Sequence, residues 1–180
     1  MALDNMTIAH RYGKALFDLA LEQDALSDVC AELNELKKVL KAEPQLVLFM
    51  TSPQISGAQK LAMLETLKNG ASQLTVNLLT MLHDYGRVAN LEAIIDEFNR
   101  LNDEFEKTVR ATVTTAVRLD ETQEQKLAAA FANVVGAKKV IIEQVVDESI
   151  IGGVILKSNS NIYDGSIKSK LERIKRLLLK

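Results

Sequence analysis

The chain has 180 residues, 47% hydrophobic, 26% charged and 4% aromatic, which supplies one medium core or two small ones and excludes a chain disordered throughout. Its 22 basic and 24 acidic side chains leave a formal charge of −2, which excludes the strong cationic field that non-specific nucleic-acid binding needs. No apolar run reaches the roughly 18 residues of a membrane span, and Met1 to Arg11 lacks the apolar stretch of a secretory signal, so the chain is expected to be cytosolic.

Ile8, Tyr12, Ala15, Leu16 and Leu19 recur at helical spacing and predict an amphipathic helix, with Thr7 placed to cap its leading amides. Leu26, Val29, Cys30, Leu33, Leu36, Val39 and Leu40 predict a second. It must stop before Pro44, because proline disfavours helical geometry in its predecessor. A short apolar turn, Leu46 to Met50, ends before Pro53. From Gly57 the stripe Leu61, Leu64 and Leu67 runs to Gly70, a residue able to take the left-handed conformation that closes a helix. Leu74, Leu78, Met81, Leu82 and Tyr85 form the next, closed by Gly86. Asn90 is placed to cap the last, whose buried face is Leu91, Ile94, Ile95, Phe98, Leu101 and Phe105. Six helices with short connections predict an all-α bundle over residues 1–105.

At residue 106 the period changes to strict alternation: Val109, Ala111, Val113, Thr115, Val117 and Leu119 predict a half-buried strand. Charge changes with it. Residues 1–105 carry 9 basic against 15 acidic side chains, and residues 106–180 carry 13 against 9. Asp120 or Thr122 starts a helix through Leu127, Phe131, Val134 and Val135 that ends at Gly136. The β-branched runs Val140 to Val146 and Gly153 to Leu156 predict two adjacent strands, followed by turn chemistry at Asn159 to Asn161. The closing segment carries Ile167, Leu171, Ile174 and Leu178 on one stripe and Lys168, Lys170, Arg173, Lys175 and Arg176 elsewhere, with Asp164 or Ser166 as cap. The fold class is therefore α+β: a six-helix bundle, then a small β-α-β-β-α domain over 106–180.

Candidate chemistry is sparse. Cys30, the single cysteine, excludes an internal disulfide and is predicted to be a small buried hydrophobe. His10 and His83 lie far apart without ligand spacing, so no metal is expected. Gly152 and Gly153 introduce a strand and lack the Lys and Ser/Thr of a phosphate loop, so no cofactor is expected and a bulge or close backbone approach is predicted instead. No nucleophile, base and orienting group can be assembled, which argues against an enzyme. Ala9, Gly13 and Ala15 beside Tyr12 either pack inside the bundle or leave room for a foreign helix. The positive side of the last helix is either a solvated face or a contact for an acidic partner. A generic helical protein-protein adaptor fits these features.

The segment Arg11-Tyr12-Gly13-Lys14-Ala15-Leu16-Phe17-Asp18-Leu19-Ala20 resembles the opening helix of the δ subunit of bacterial F-type ATP synthases, whose pattern is R-Y-A-x-A-L-F-x-L-A. Gly13 departs from it in place of alanine. Gly86-Arg87-Val88 resembles the family's G-R-L/I segment, Val146 to Val154 its V-D-x-S-L-I-G-G-V, and Asp164-Gly165-Ser166-Ile167 its D-G-S-V. The resemblance implies a non-catalytic stator subunit, equivalent to the mitochondrial oligomycin-sensitivity-conferring protein, linking the α3β3 head to the peripheral stalk against rotor torque during proton-driven ATP synthesis. It implies that the N-terminal helix of an α subunit enters a groove between the first and fifth helices, at Tyr12, Ala15, Asn77 and Met81. It also implies that the C-terminal domain, shaped at Gly152 and Gly153, meets the C-terminal part of the b subunits. On this resemblance the chain is peripheral to the cytoplasmic face of the membrane, without inserting into it.

Overall fold

Proline and glycine punctuate the helices in the computed structural model, which describes residues 5–158 and 161–179. The chain divides into two compact units, Met1–Asn102 and Asp103–Lys180. The first contains α1 (Asn5–Glu22), α2 (Leu26–Ala42), α3 (Pro44–Thr51), α4 (Gly57–Lys68), α5 (Gln73–Asp84) and all but the last turn of α6 (Leu91–Phe105). Pro44 ends α2 and opens α3, where its missing N–H would have been unpaired in any case. Ser56 closes a capping box with Gln59 at the start of α4.

Two predicted caps are corrected. Thr7 lies inside α1, which is already helical at Asn5, and Asn90, itself buried, ends a 3-10 turn, Val88–Asn90, that runs directly into α6.

The core of this unit joins Ala20 of α1, Val29 and Leu33 of α2, Leu64 of α4, Leu79 and Leu82 of α5, and Leu91, Ile94, Ile95 and Phe98 of α6, all nearly or wholly inaccessible. Phe17 meets Phe98 edge-on at 6.0 Å. Small residues make the α1–α6 approach close: Ala9 is buried, and a Cβ at Gly13 would lie 2.9 Å from both Cβ and Cγ of Glu97 and 3.1 Å from the Ile94 carbonyl oxygen. Of the three small residues beside Tyr12, Ala9 and Gly13 therefore pack inside the bundle, while Ala15 is exposed. Phe105, predicted on the buried face of α6, is 56% exposed, because it lies a turn beyond the part of α6 that the bundle covers. Leu61, at 48% exposure, likewise lies off the buried side of α4.

Cys30 is half-buried and packs against the bundle core, as a small hydrophobe does, while its Sγ also meets side-chain amides. Its Sγ lies 3.4 Å from Asn34 Nδ2 and 3.6 Å from Asn99 Oδ1, and Asn99 Nδ2 donates to Asn34 Oδ1.

The second unit is a mixed sheet of β1 (Thr108–Thr115), β2 (Lys139–Val146), β3 (Val154–Ser158) and β4 (Asn161–Asp164), with α7 (Glu121–Val135) and α8 (Ile167–Leu178). Strand order is β2-β1-β3-β4, with β1 parallel to β2 and antiparallel to β3. The two predicted adjacent strands are not neighbours: β1 lies between them, because α7 carries the chain back to its far edge. Val117, predicted within β1, lies beyond it and is 73% exposed. The short β4 occupies part of the segment read as turn chemistry; Asn159 and Ser160 lie outside the described residues.

Asp120 closes a capping box with Gln123 at the start of α7, and Gly136 ends the helix at φ +67°. Ala111, Val113 and Leu156 form the covered face of the sheet against Phe131, which also meets Tyr163 edge-on at 5.6 Å. On the opposite face an open hollow of about 450 Å³ is lined by Arg110, Thr112, Ile141, Glu143 and Lys157.

Candidate partner-binding surfaces

Helices α1 and α5 pack against one another. On α1, Tyr12, Ala15 and Leu19 share one stripe at spacings of three and four; on α5, Asn77 and Met81 share another, continued by Tyr85 at the helix C-cap, at spacings of four. Arg87, just past α5, ties the two stripes to one seam. Its Nη1 donates to Tyr12 Oη at 2.8 Å, and its guanidinium carbon lies 5.6 Å from the Tyr12 ring centroid and 5.7 Å from that of Tyr85.

The seam is open and apolar. Leu19 is 46% exposed, Met81 41% and Tyr85 66%, so Met81 and Tyr85, read as core from their spacing, face outward. Ala15 and Asn77 are exposed and Tyr12 is half-buried. Asn77 Oδ1 accepts from Gln73 Nε2 at 2.8 Å, which holds its amide along the α5 surface. The structure thus brings Tyr12, Ala15, Asn77 and Met81 onto neighbouring helices and adds Leu19, Tyr85 and Arg87 to them.

Two carboxylates fix the helices that border this seam. Glu32 of α2 accepts from the Ser72 amide at 2.9 Å, the Ser72 hydroxyl at 2.8 Å and the Thr75 hydroxyl at 2.6 Å, which anchors the start of α5. Burial pushes its pKa up, but the bonds from Thr75 and Ser72 outweigh that effect and hold it below the ordinary value. Glu97 of α6 holds the other side of α1. The Arg100 side chain lowers its pKa to about 2 against the opposing effect of burial, with His10 Nδ1 at 2.7 Å adding to the same direction. Lys37 of α2 also pairs with Asp96 of α6. Glu32 and Ser72 escape sequence reading because a bond across 40 residues leaves no local pattern.

In the second unit the glycine pair positions α8. Gly153 has φ +81°, and a Cβ there would overlap the Gly165 carbonyl oxygen and lie 3.1 Å from Ser166 Cα. A Cβ at Gly152 would meet Ile167 Cδ1 at 2.9 Å. The two segments are stitched by Gly165 N–H to the Val154 carbonyl and Ile167 N–H to the Gly152 carbonyl, both 2.9 Å. The predicted close backbone approach is therefore present. Ser166 caps α8 by accepting from the Ser169 amide, and Asp164 accepts from the Ser166 amide and the Ser169 hydroxyl. Those bonds, the Ser169 hydroxyl first, hold the Asp164 carboxyl below the usual carboxylate range.

No side chain of α8 is fully buried. Ile167, Leu171, Ile174 and Leu178 are 42%, 52%, 52% and 81% exposed, beside Lys168, Lys170, Arg173, Lys175 and Arg176. This is an amphipathic helix with a positive side and an uncovered apolar stripe. Ile151 is also presented outward, 60% exposed, at φ +69°, a conformation that a β-branched residue rarely adopts.

Among the described residues no group of three or more His, Cys, Asp or Glu side chains could hold a metal ion, and no helix is long and apolar enough to cross a membrane.

The family model of the ATP synthase delta (OSCP) subunit matches residues 8–178, nearly the whole chain and both units. The chain belongs to this family. It is 66% identical over 180 residues to the ATP synthase subunit delta of Ligilactobacillus salivarius, with all of both chains covered. It is 45% identical over 179 residues to that of Lactiplantibacillus plantarum, with 99% of each covered. Among solved structures, a chain of the cryo-EM structure of the Toxoplasma gondii mitochondrial ATP synthase hexamer superposes with a TM-score of 0.72 at 28% identity, covering 97% of this chain and 98% of that one. A member of this family is a non-catalytic, structural subunit of the stator of F-type ATP synthase, and the stator reading of the sequence stands on these matches.

Proposed function

We propose that the α1–α5 seam receives the N-terminal helix of an α subunit of the catalytic head, and that the second unit, through α8 and the turn at Gly152 and Gly153, attaches to the C-terminal part of the b subunits. One observation carries the reading: Leu19, Met81 and Tyr85 are left uncovered on two neighbouring helices, α5 anchored through Glu32 and α1 through His10 and Glu97. An amphipathic helix presents anchors at i, i+3, i+4 and i+7, the spacing such a seam accepts. Each large apolar side chain covered contributes about 1.5–3 kcal/mol before the losses of association are counted. Lys168, Lys170, Arg173, Lys175 and Arg176 suit an acidic stalk helix over the α8 stripe.

Function follows from holding both ends at once. Rotation of the central rotor exerts a reaction torque on the head, and a body bonded to head and stalk stops the head from turning with the rotor. Two linked contacts raise the effective concentration at each, so neither must be very strong alone. The chain then lies at the cytoplasmic face of the membrane, held there by its partners.

Ala15→Asp tests the head contact. A carboxylate at this exposed position is tolerated in the free chain but is buried without a partner under a docked helix, at a loss of several kcal/mol. Calorimetric titration with a synthetic peptide spanning the N-terminal segment of the α subunit should show binding to the natural chain and none to the variant, with unchanged helical circular dichroism. Equal binding by both would refute the seam as the head contact.

A further inference from the structure

We propose that Arg87 is the charge anchor of the α1–α5 seam, taking a carboxylate of the incoming helix, so that this end of the seam selects a partner with an acidic residue there. The inference rests on the seam reading given above.

Arg87 is half-buried and held in place by three contacts, one bond to Tyr12 Oη and the faces of Tyr12 and Tyr85. A guanidinium has five N–H donors in a planar fork that matches a carboxylate bidentately. Here the side chain hydrogen bond goes to a neutral phenol, and among the described residues no carboxylate pairs with Arg87. Asp84, the acidic residue nearest in the chain, lies with its Oδ1 3.3 Å from His83 Nδ1. The bond to Tyr12 Oη and the two neighbouring rings hold the guanidinium in place before any partner arrives, which lowers the ordering entropy of binding.

The surrounding charges give the same polarity. Along α1 the exposed side chains change sign, with Arg11 and Lys14 flanking Tyr12 at the Arg87 end and Asp18 and Glu22 flanking Leu19 at the other. An occupant complementary to this seam carries its acidic residues over Arg87 and its basic ones over Asp18 and Glu22, so the charge pattern also sets the direction in which the helix lies.

The test is a double-mutant cycle on the full chain, using a synthetic peptide spanning the N-terminal segment of the α subunit and versions in which each Asp or Glu is changed in turn to Asn or Gln. Arg87→Gln should bind the natural peptide at least tenfold more weakly. One amidated peptide should show the same loss against the natural chain and no further loss against Arg87→Gln. Arg87→Met, which keeps an unbranched stem without the charge, carries the same comparison should the glutamine variant not fold. Equal affinity of variant and natural chain, or losses that simply add for every carboxylate, would overturn the anchor while leaving the seam reading intact. Failure of the natural chain to bind the natural peptide would instead overturn the seam reading, and the anchor with it.

Discussion

Replacing Gly153 by alanine adds one carbon at the point where the backbones of the β3 and α8 approaches are in contact. Two effects act together. The residue has φ +81°, where an L side chain costs about 1–2 kcal/mol. The new Cβ also overlaps the Gly165 carbonyl oxygen, which is backbone and is fixed by its own amide bond to Val154, so the strand and the α8 cap must separate. Overpacking of that kind adds about 1–3 kcal/mol, for a sum of about 2–5 kcal/mol. Gly136 is the control: its φ is +67°, but nothing lies within 4 Å of a Cβ there, so Gly136→Ala carries only the conformational part. Native-state hydrogen exchange at the β3 amides reads the opening free energy of this layer directly. The expected result is a loss for Gly153→Ala exceeding that for Gly136→Ala by about 1 kcal/mol or more, together with weaker binding of a fragment from the C-terminal end of the b subunits and unchanged binding of the α-derived peptide. Equal losses in the two variants would show that the contact with Gly165 contributes nothing and that the conformation of Gly153 is the whole effect.

The Glu97 contacts make stability pH-dependent. Its pKa is about 2 in the folded chain against an ordinary 4.5, so the stabilisation is complete above the ordinary value and disappears as pH falls from there toward 2. Glu97→Gln should flatten that part of an acid titration followed by circular dichroism, and an unchanged acid limb would contradict the assignment. Ile151→Gly should differ from most glycine substitutions. Relief of the strained φ of +69° offsets the usual loss of about 0.5–1 kcal/mol, leaving thermal stability nearly unchanged. A drop in stability of more than about 1 kcal/mol would show that Ile151 is not strained.

What is legible in the sequence, and what is hidden, divides along physical lines. Local chemistry is readable: Pro44 between two helices, the left-handed Gly136, the Asp120 and Ser166 caps, and the glycine pair that brings two backbone segments together. Periodicity also locates the helices, because a buried stripe repeats at 3.6 residues. It cannot say whether a stripe is covered. Met81 on α5, Tyr85 at its C-cap, and all of the α8 stripe carry the same spacing as Leu78 and Leu82, yet they face outward. Periodicity identifies an apolar face and is silent on what meets it, which is why the surfaces that matter here look like core. Thr7 and Asn90 have good capping side chains, but helix α1 begins earlier and a 3-10 turn takes the place of a cap. Sheet order is hidden for a topological reason: a crossover through α7 puts β1 between β2 and β3. Long-range polar contacts such as Glu32 to Ser72, and the amide surroundings of Cys30, have no signature in local sequence.

The central claim is that one molecule holds head and stalk at the same time through separate surfaces. Native mass spectrometry of the full chain, mixed with the α-derived N-terminal peptide and a fragment from the C-terminal end of the b subunits, tests it most directly. The account predicts a ternary complex containing all three, with Ala15→Asp removing only the peptide and Gly153→Asp only the b fragment. A chain that binds either partner but never both, or that loses both to a single substitution, would contradict it.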